Sequence, residues 1–543
     1  MPTSRAGSNT DEGPPPGWRG PAVRAVHGIG DIVLSLFGAV LLTAHLTSDL
    51  YLPLSFVGLV PWVYQFGIRE RRASLFSFVV GAGTYWNIYH AFLGNYAWWF
   101  PLLMVLAFGA AYLSFPIFLR AGKKLRIPWV VTVPVAWVAT EFIFAHVSLG
   151  RVADALLGYS QAPVLSLIQI ADLGGVYVVS FVVALVNGAI ADIIAARAWS
   201  PRRLWHSRAR MSVAAAAVML VLANVYGVWR LRVLRTEPGP LVGVVQPAVD
   251  HSGYNTFSVY GPTVYMTAQA WDSVGKVDLI VWPENAIQDY LDRFAVYEQD
   301  LMWLSRRAGA PILFGSYGRH PDAPTVSTNM VSLAGPGGFT GERFDKIRLM
   351  PWMEYVPFTP LLTALGSDLA KYHARFAATI VGYSTTGSSA HKGEHVTVFR
   401  WPGLPPFSSL ICFETMDPSL GREAVRRGAR MLINPTSEGR VGTRLQLQML
   451  RVSALRAVET RLPVVRAGNM GISAYVFPDG RLQHVVRGLR RGAIVFEPAL
   501  GLQRVRLAAP GQSPYVRIGD LFAWTMLVVA LAGLGWSVTQ RGA

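Results

Sequence analysis

From residue 28 onward the chain alternates long apolar runs with short polar breaks, and no other feature constrains its fold so strongly. The runs cover about 30–47, 51–67, 74–93, 97–119, 127–147, 175–195 and 211–229, with an eighth at about 520–538. Each is close to the ~20 residues an α-helix needs to cross a bilayer core. Pro53, Pro61, Pro116 and Pro134 fall in or near these runs, where neighbouring membrane helices can satisfy the backbone groups a proline frees. A soluble all-helical core would not combine so many long runs with so few charges. The pattern predicts a multi-span α-helical membrane bundle of about eight helices.

Charge in the connections sets the orientation. Arg69, Arg71 and Arg72 follow the second run, and Arg120, Lys123, Lys124 and Arg126 follow the fourth. Arg197, Arg202, Arg203, Arg208 and Arg210 follow the sixth. The alternate connections at 47–50 and 94–96 carry no Lys or Arg, and 148–174 carries only Arg151. Basic loops stay on the cytoplasmic side, so the N-terminus is expected inside and about 230–519 outside, before the last run returns the C-terminus. These loops account for much of the formal charge of +17 without nucleic acid as a partner. A hydrophobic content of 52% and a mean hydropathy of +0.34 fit the same reading.

Four parts are therefore expected: a tail (1–27), a bundle of seven helices (28–229), an extracytoplasmic domain (230–519), and a last helix with a short cytoplasmic end (520–543). The tail is polar and rich in Pro and Gly, which predicts disorder. It is not read as a signal peptide, because further spans follow instead of a cleavage site. Glu141 and His146 lie near the end of the fifth run, and ionisable groups at membrane depth are a functional flag. Pairing of Glu141 with Arg151, or packing between helices, is an equally open reading.

The outer part is α/β in pattern. Apolar, β-branched runs at Leu241–Val245, Leu279–Trp282, Ile312–Phe314, Met330–Leu333, Ser409–Cys412, Met431–Ile433, Val464–Arg466 and Ser473–Phe477 read as strands. Helical segments are expected at Tyr260–Val274, Phe294–Ala308, Pro418–Gly428 and Arg444–Arg461. Asp417 caps the third of these, with Pro418 at its first position. The segment 361–395 lacks periodicity, and its latter part reads as a flexible loop near the site, a candidate lid.

Three apolar segments each deliver one reactive group. Cys412, the only cysteine among 543 residues, sits in F-S-S-L-I-C-F-E (407–414). Glu284 ends D-L-I-V-W-P-E, and Lys346 and Glu354 lie in F-D-K-I-R-L-M-P-W-M-E-Y-V-P. A lone thiol is most often a small buried hydrophobe. With a carboxylate to take its proton and a fixed cation to steady an oxyanion, it is instead equipped to attack an acyl carbon.

The order and context of these three groups resemble the nitrilase superfamily, whose Glu-Lys-Cys triad uses one cysteine and no metal. Further motifs narrow the resemblance: P-V-A-W-V-A-T-E (134–141), L-G-Y-S-Q (157–161), A-D-L-G-G-V-Y-V-V-S-F (171–181) and S-P-Y-V-R-I-G-D (513–520). With them the chain resembles the membrane-embedded branch of that superfamily, the apolipoprotein N-acyltransferase family, over about residues 28 to 538. The resemblance implies a nitrilase-like α-β-β-α sandwich outside a bacterial inner membrane, facing the periplasm. It implies transfer of an acyl chain from a phospholipid to the N-terminal amine of a lipoprotein's diacylglyceryl-cysteine, by a monomer without a cofactor.

Carried over by position, Glu284 is the general base, Lys346 the oxyanion cation and Cys412 the nucleophile. Glu354 matches a second glutamate that supports Lys346, the Phe413 N–H is a second oxyanion donor, and Glu414 keeps the acidic neighbour. Phe413 stands where the family commonly has Tyr. N-P-T-S-E-G (434–439) replaces the usual N-D-x-W-F, and Gln448-Met449 replaces a Gln-His pair, whereas R-A-x-E is intact at Arg456–Glu459. Two other readings stay open: a membrane-anchored amidase or nitrilase whose thioester is resolved by water, and an inactive scaffold of the same fold.

Overall fold

The computed structural model describes residues 21–540 apart from 70–74, 90–99, 148–152, 154, 250–257, 275, 321–322, 352–353, 356–363, 367–390, 440–441 and 512. The tail up to residue 20, Arg151 and most of the candidate lid lie outside the described residues. The first helix begins at Pro21, inside the stretch read as tail.

The bundle comprises α1 (Pro21–Thr43), α2 (Val60–Val63), α3 (Leu75–Tyr89), α4 (Phe100–Ala111), α5 (Ser114–Lys124) and α6 (Trp129–Val147). It continues with α7 (Leu165–Ile168), α8 (Ala171–Gly174), α9 (Val176–Ala195), α10 (Pro201–His206) and α11 (Ala209–Val233). Among the described residues seven helical stretches, one of them C-terminal, are long and apolar enough to cross a membrane; the expected third is the shorter Leu75–Trp86.

The second span is not one regular helix. It runs as a 3-10 helix (Asp49–Phe56), then α2, then a π-helical turn (Tyr64–Ile68). Pro53 and Pro61 cannot donate a backbone hydrogen bond, and Asn187 of α9 covers the break. The Leu59 N–H donates to Asn187 Oδ1 at 2.9 Å, and Asn187 Nδ2 donates to the Ser55 carbonyl at 3.1 Å. Trp62, Tyr85 and Trp137 fill the bundle centre with mutual ring contacts.

Glu141 has a structural partner set. Trp137 Nε1 and the Leu157 N–H both donate to its Oε1, at 2.8 and 2.6 Å, so it ties the backbone at Leu157 to α6. His146 Nδ1 lies 2.9 Å from the Phe142 carbonyl within the same helix.

The part from Thr236 to Ala508 is two facing sheets. The first has the order β13-β1-β2-β4-β5-β6, with β3 also on β4; the second has the order β12-β11-β10-β9-β8-β7. In the first sheet, β1 (Thr236–Gln246), β2 (Leu279–Val281), β3 (Ile287–Tyr290) and β4 (Ile312–His320) run parallel. β5 (Ala323–Gly335), β6 (Gly338–Asp345) and β13 (Ala499–Ala508) join antiparallel. In the second, β8 (Phe407–Ser409), β9 (Met431–Thr436) and β10 (Val464–Gly468) are parallel. β7 (Val398–Phe399), β11 (Ala474–Val476) and β12 (Leu482–Val485) complete it antiparallel.

Strand side chains alternate between two faces. Val242, Val244, Leu279 and Val281 meet Phe407, Ile433 and Val465 in the core between the sheets. Val245, Ile280, Ile312 and Phe314 face outward onto α12 (Tyr260–Val274) and α13 (Ala295–Ala308), through Tyr297, Leu301 and Leu304. α14 (Pro418–Arg426) and α15 (Thr443–Thr460) supply Leu420, Ala424, Leu455 and Val458 on the second sheet's side. The layers are therefore α-β-β-α. After α16 (Pro514–Ile518), α17 (Leu521–Thr539) packs back onto the bundle.

The eight expected strands are present, but the reading omitted β3, β6, β7, β12 and β13. One boundary needs correction: β8 stops at Ser409, and Cys412 opens a 3-10 turn, Cys412–Met416, instead of ending a strand.

Bundle and sandwich are joined by buried charge. Arg461 donates from Nη2 to Asp172 Oδ2 at 2.5 Å, and Arg230 of α11 donates from Nε to the same oxygen at 2.8 Å. Arg456 pairs with Glu459 and donates from Nη2 to the Tyr159 hydroxyl at 3.1 Å. Glu459 Oε1 also accepts the Val176 N–H at 2.7 Å. Tyr159 of L-G-Y-S-Q and Val176, just after A-D-L-G-G, thus meet R-A-x-E across the interface, and Asp172 meets Arg461 beyond it.

Candidate active site

Each of the three reactive groups stands just beyond a strand. β2 leads into Trp282-Pro283-Glu284, and the turn that follows lies directly on Gly315 of β4. A Cβ there would come within 2.7 Å of the Asn285 nitrogen and the Pro283 oxygen, so the close approach requires glycine. β6 leads into Lys346, whose N–H donates to the Asn329 carbonyl at 2.8 Å and extends the β5–β6 ladder by one residue. β8 leads into Cys412, which has φ +53. This left-handed conformation costs a non-glycine residue energy and is held by the surrounding hydrogen bonds.

Lys346 and the two glutamates are brought together as expected. Lys346 Nζ donates to Glu284 Oε1 at 3.0 Å and to Glu354 Oε1 at 2.9 Å. Asn329, which the sequence reading did not single out, closes the ring by donating from Nδ2 to the same two oxygens, at 2.8 and 2.9 Å. Burial alone would depress the Lys346 ammonium, but the Glu284 and Glu354 carboxylates outweigh it and hold the group well above its ordinary value. The other Glu284 oxygen accepts the Ser437 N–H at 3.0 Å.

Cys412 responds electrostatically to both Glu284 and Lys346. Burial pushes its thiol up to about 12, Glu284 adds to that, and Lys346 opposes it. The resting sulfur therefore carries its proton. Phe413 places its ring centroid 5.1 Å from Lys346 Nζ, a cation–π contact.

Glu414 is a brace. Its Oε1 accepts the Ile347 and Arg348 N–H groups at 2.7 and 2.9 Å, and its Oε2 accepts the Ile411 N–H at 2.7 Å. One carboxylate thus fastens the lysine segment to the Cys412 turn. Burial pushes it up to about 7, against the pull of those N–H donors and of Lys346.

The divergent N-P-T-S-E-G segment also belongs to the site. Asn434 Nδ2 donates to the Leu410 and Cys412 carbonyls at 2.5 and 2.9 Å, and Thr436 Oγ1 lies 3.4 Å from Cys412 Sγ. The segment continues β9 just past its pairing with β8, which brings Thr436 to the sulfur.

Comparison with known proteins follows the same division. Residues 38–189 match the family model described as the apolipoprotein N-acyltransferase N-terminal domain, and 241–496 match the carbon-nitrogen hydrolase model. A protein named apolipoprotein N-acyltransferase from Geobacter metallireducens is 30% identical over 519 residues, covering 92% of this chain and 94% of that one. One of the same name from Bradyrhizobium diazoefficiens is 27% identical, covering 78% of this chain and 76% of its own. Among solved structures, Saccharomyces cerevisiae Nit3 of the nitrilase superfamily aligns with 50% of this chain and 91% of its own, at 15% identity and a TM-score of 0.37. With near-complete coverage of both chains by the Geobacter relative, this chain belongs to the apolipoprotein N-acyltransferase family, as a membrane-held N-acyltransferase.

Proposed function

We propose that the protein moves an acyl chain from a phospholipid, through a Cys412 thioester, to the N-terminal amine of a diacylglyceryl-cysteine on an apolipoprotein. The observation that carries this reading is the Glu284–Lys346–Glu354 ring beside the sole cysteine, in a domain clamped to a many-span bundle. Cys412 Sγ attacks the ester carbonyl while Glu284 takes the thiol proton. Lys346 and the Phe413 N–H face the oxyanion, and one such donor is typically worth ~3 kcal/mol of barrier. Collapse breaks the ester C–O bond, and Glu284 returns the proton to the departing lysophospholipid oxygen. The acceptor amine then attacks the thioester, Glu284 takes its proton, and collapse to the amide returns that proton to the sulfur.

Glu354 and Glu414 fix geometry in this scheme. The basic loops support a site facing the outside of the bacterial inner membrane, at the bilayer surface.

The test uses purified protein and a phospholipid with a tagged acyl chain. Without acceptor, a protein adduct removable by neutral hydroxylamine should form in step with lysophospholipid. Cys412→Ser and Glu284→Gln should form little. A diacylglyceryl-cysteine peptide with a free amine should collect the tag, and its N-acetylated form should not. Hydrolysis of a small amide through Cys412 with no lipid adduct would replace this reading with the amidase one. Neither reaction would favour the scaffold.

A further inference from the structure

Behind the nucleophile lies a buried charged bridge to which nothing above assigns a part in the chemistry. Arg466, on β10, is fully buried and divides its guanidinium between two arms. Nη1 donates to Asn434 Oδ1 at 2.6 Å, and Asn434 in turn holds the Leu410 and Cys412 carbonyls. Nη2 pairs with Glu438 Oε1, and Nε donates to the Ile472 carbonyl at 2.9 Å. The Glu438 oxygen that meets Arg466 also lies 3.2 Å from Thr436 Oγ1, which is 3.4 Å from Cys412 Sγ. One arm of Arg466 therefore reaches the backbone of Cys412 and the other reaches its sulfur.

Glu438 has no room to leave. It is 3% exposed, and its Oε2 faces Gly471, where a Cβ would stand 2.3 Å away. A hydroxyl has one proton and two lone pairs, so Thr436 serves one acceptor at a time. Beside a resting thiol its proton belongs on the Glu438 carboxylate, the stronger acceptor, which leaves a lone pair toward the sulfur. Once the sulfur carries negative charge, the same proton can turn to it.

We infer that Thr436 is a catalytic hydrogen-bond donor to the forming Cys412 thiolate, and that Glu438, locked by Arg466, is the positioning residue that aims it and disfavours an early negative charge on the sulfur. The inference deepens the proposed thioester reading and rests on Cys412 as nucleophile. The charged groups facing the sulfur are then Glu284 and Glu438 on the negative side and Lys346 on the positive. The two neighbours from the 434–439 segment act with opposite sign: the Thr436 hydrogen bond favours the thiolate, and the Glu438 charge opposes it.

Because Cys412 is the sole cysteine, iodoacetamide alkylation of the whole detergent-solubilised protein, followed by intact mass at fixed pH, reads this sulfur alone. Well below the thiol's midpoint the rate follows the thiolate fraction. Thr436→Val should slow alkylation roughly tenfold, the worth of one hydrogen bond to a charged atom, and Thr436→Ser should restore it. Glu438→Gln keeps the shape, removes the charge, and should accelerate alkylation several-fold. Loosened packing would expose the sulfur and accelerate both variants, so opposite signs separate the bridge from a structural role. Unchanged or faster alkylation in Thr436→Val overturns the Thr436 assignment, and slower alkylation in Glu438→Gln overturns that of Glu438. If Glu438→Gln does not fold, the Thr436 pair carries the test. Acyl transfer surviving in Cys412→Ala would remove the nucleophile reading without touching these alkylation outcomes, so the two failures are distinguishable.

Discussion

Glu284 Oε1 and Lys346 Nζ lie 3.0 Å apart, and the Asn329 amide binds that same oxygen and the nearest oxygen of Glu354 at once. Glu284, Lys346, Glu354 and Asn329 are thus one closed ring of four residues. Asn329→Ala should lower the rate of acyl-enzyme formation about tenfold with little change in the lipid concentration for half-saturation, since it removes two hydrogen bonds to carboxylates worth ~1.5–3 kcal/mol each and the ring can partly relax. Asn329→Asp would set a third carboxylate against the other two and should be nearly inactive. Single-turnover acylation with tagged phospholipid measures both, and a wild-type rate in Asn329→Ala would remove Asn329 from the machinery.

The Cys412 thiol is pushed up to about 12 by burial and by Glu284, so its thiolate fraction keeps rising through the alkaline range. Wild-type alkylation should climb about tenfold per pH unit from 7 to 10, where a free thiol of ~8.5 would level off near 9. Glu284→Gln removes the negative neighbour and should bring the midpoint down. Levelling near pH 9 in the wild type would show a sulfur that is not held in this way.

Orientation is testable at two exposed positions in a Cys412→Ala background. Leu489 is 64% exposed on the sandwich, and Arg203 lies on the short helix α10 of the basic connection after α9. An impermeant maleimide should label Leu489→Cys on intact cells and Arg203→Cys only after permeabilisation. The opposite pattern would invert the proposed topology.

Asp172 is fully buried and receives Arg230, Arg461 and the Tyr226 hydroxyl. Asp172→Asn leaves Arg461 buried without its counter-charge, a change that typically costs ~3–5 kcal/mol. Thermal unfolding in detergent should shift down markedly, whereas Asp192→Asn, at the half-buried N-terminus of α6, should shift it less. Equal shifts would show that the interface pair has no special weight.

What was legible in the sequence was what depends on local pattern. Span length, basic loops and apolar strands each have a short-range signature, and the triad residues follow such strands directly. β6 and β13 were missed because their solvent-facing residues, such as Glu342, Arg504 and Arg506, break the apolar run, while pairing with β5 and β1 supplies the order. The broken second span follows from Pro53 and Pro61 but needs Asn187, more than a hundred residues away, to be satisfied. Asn329 carries no motif of its own, and Thr436 lies in a segment marked only by its departure from the family pattern; strand pairing brings both to the site. Glu141 was a sound flag for a special environment, and the environment holds the Leu157 backbone.

The guanidinium groups of Arg456 and Arg461 belong to the sandwich, yet Tyr159, Gln169 and Asp172 of the membrane part answer them. A fragment cut near residue 236 would therefore be no miniature amidase: it would keep the Arg456–Glu459 pair but strip Arg461 of its counter-charge and turn an apolar floor to water. Excising the catalytic layer as a soluble unit requires redesign of that underside. The bilayer is a component of this enzyme's architecture, and the lipid it dissolves in is also the source of the chain it is proposed to transfer.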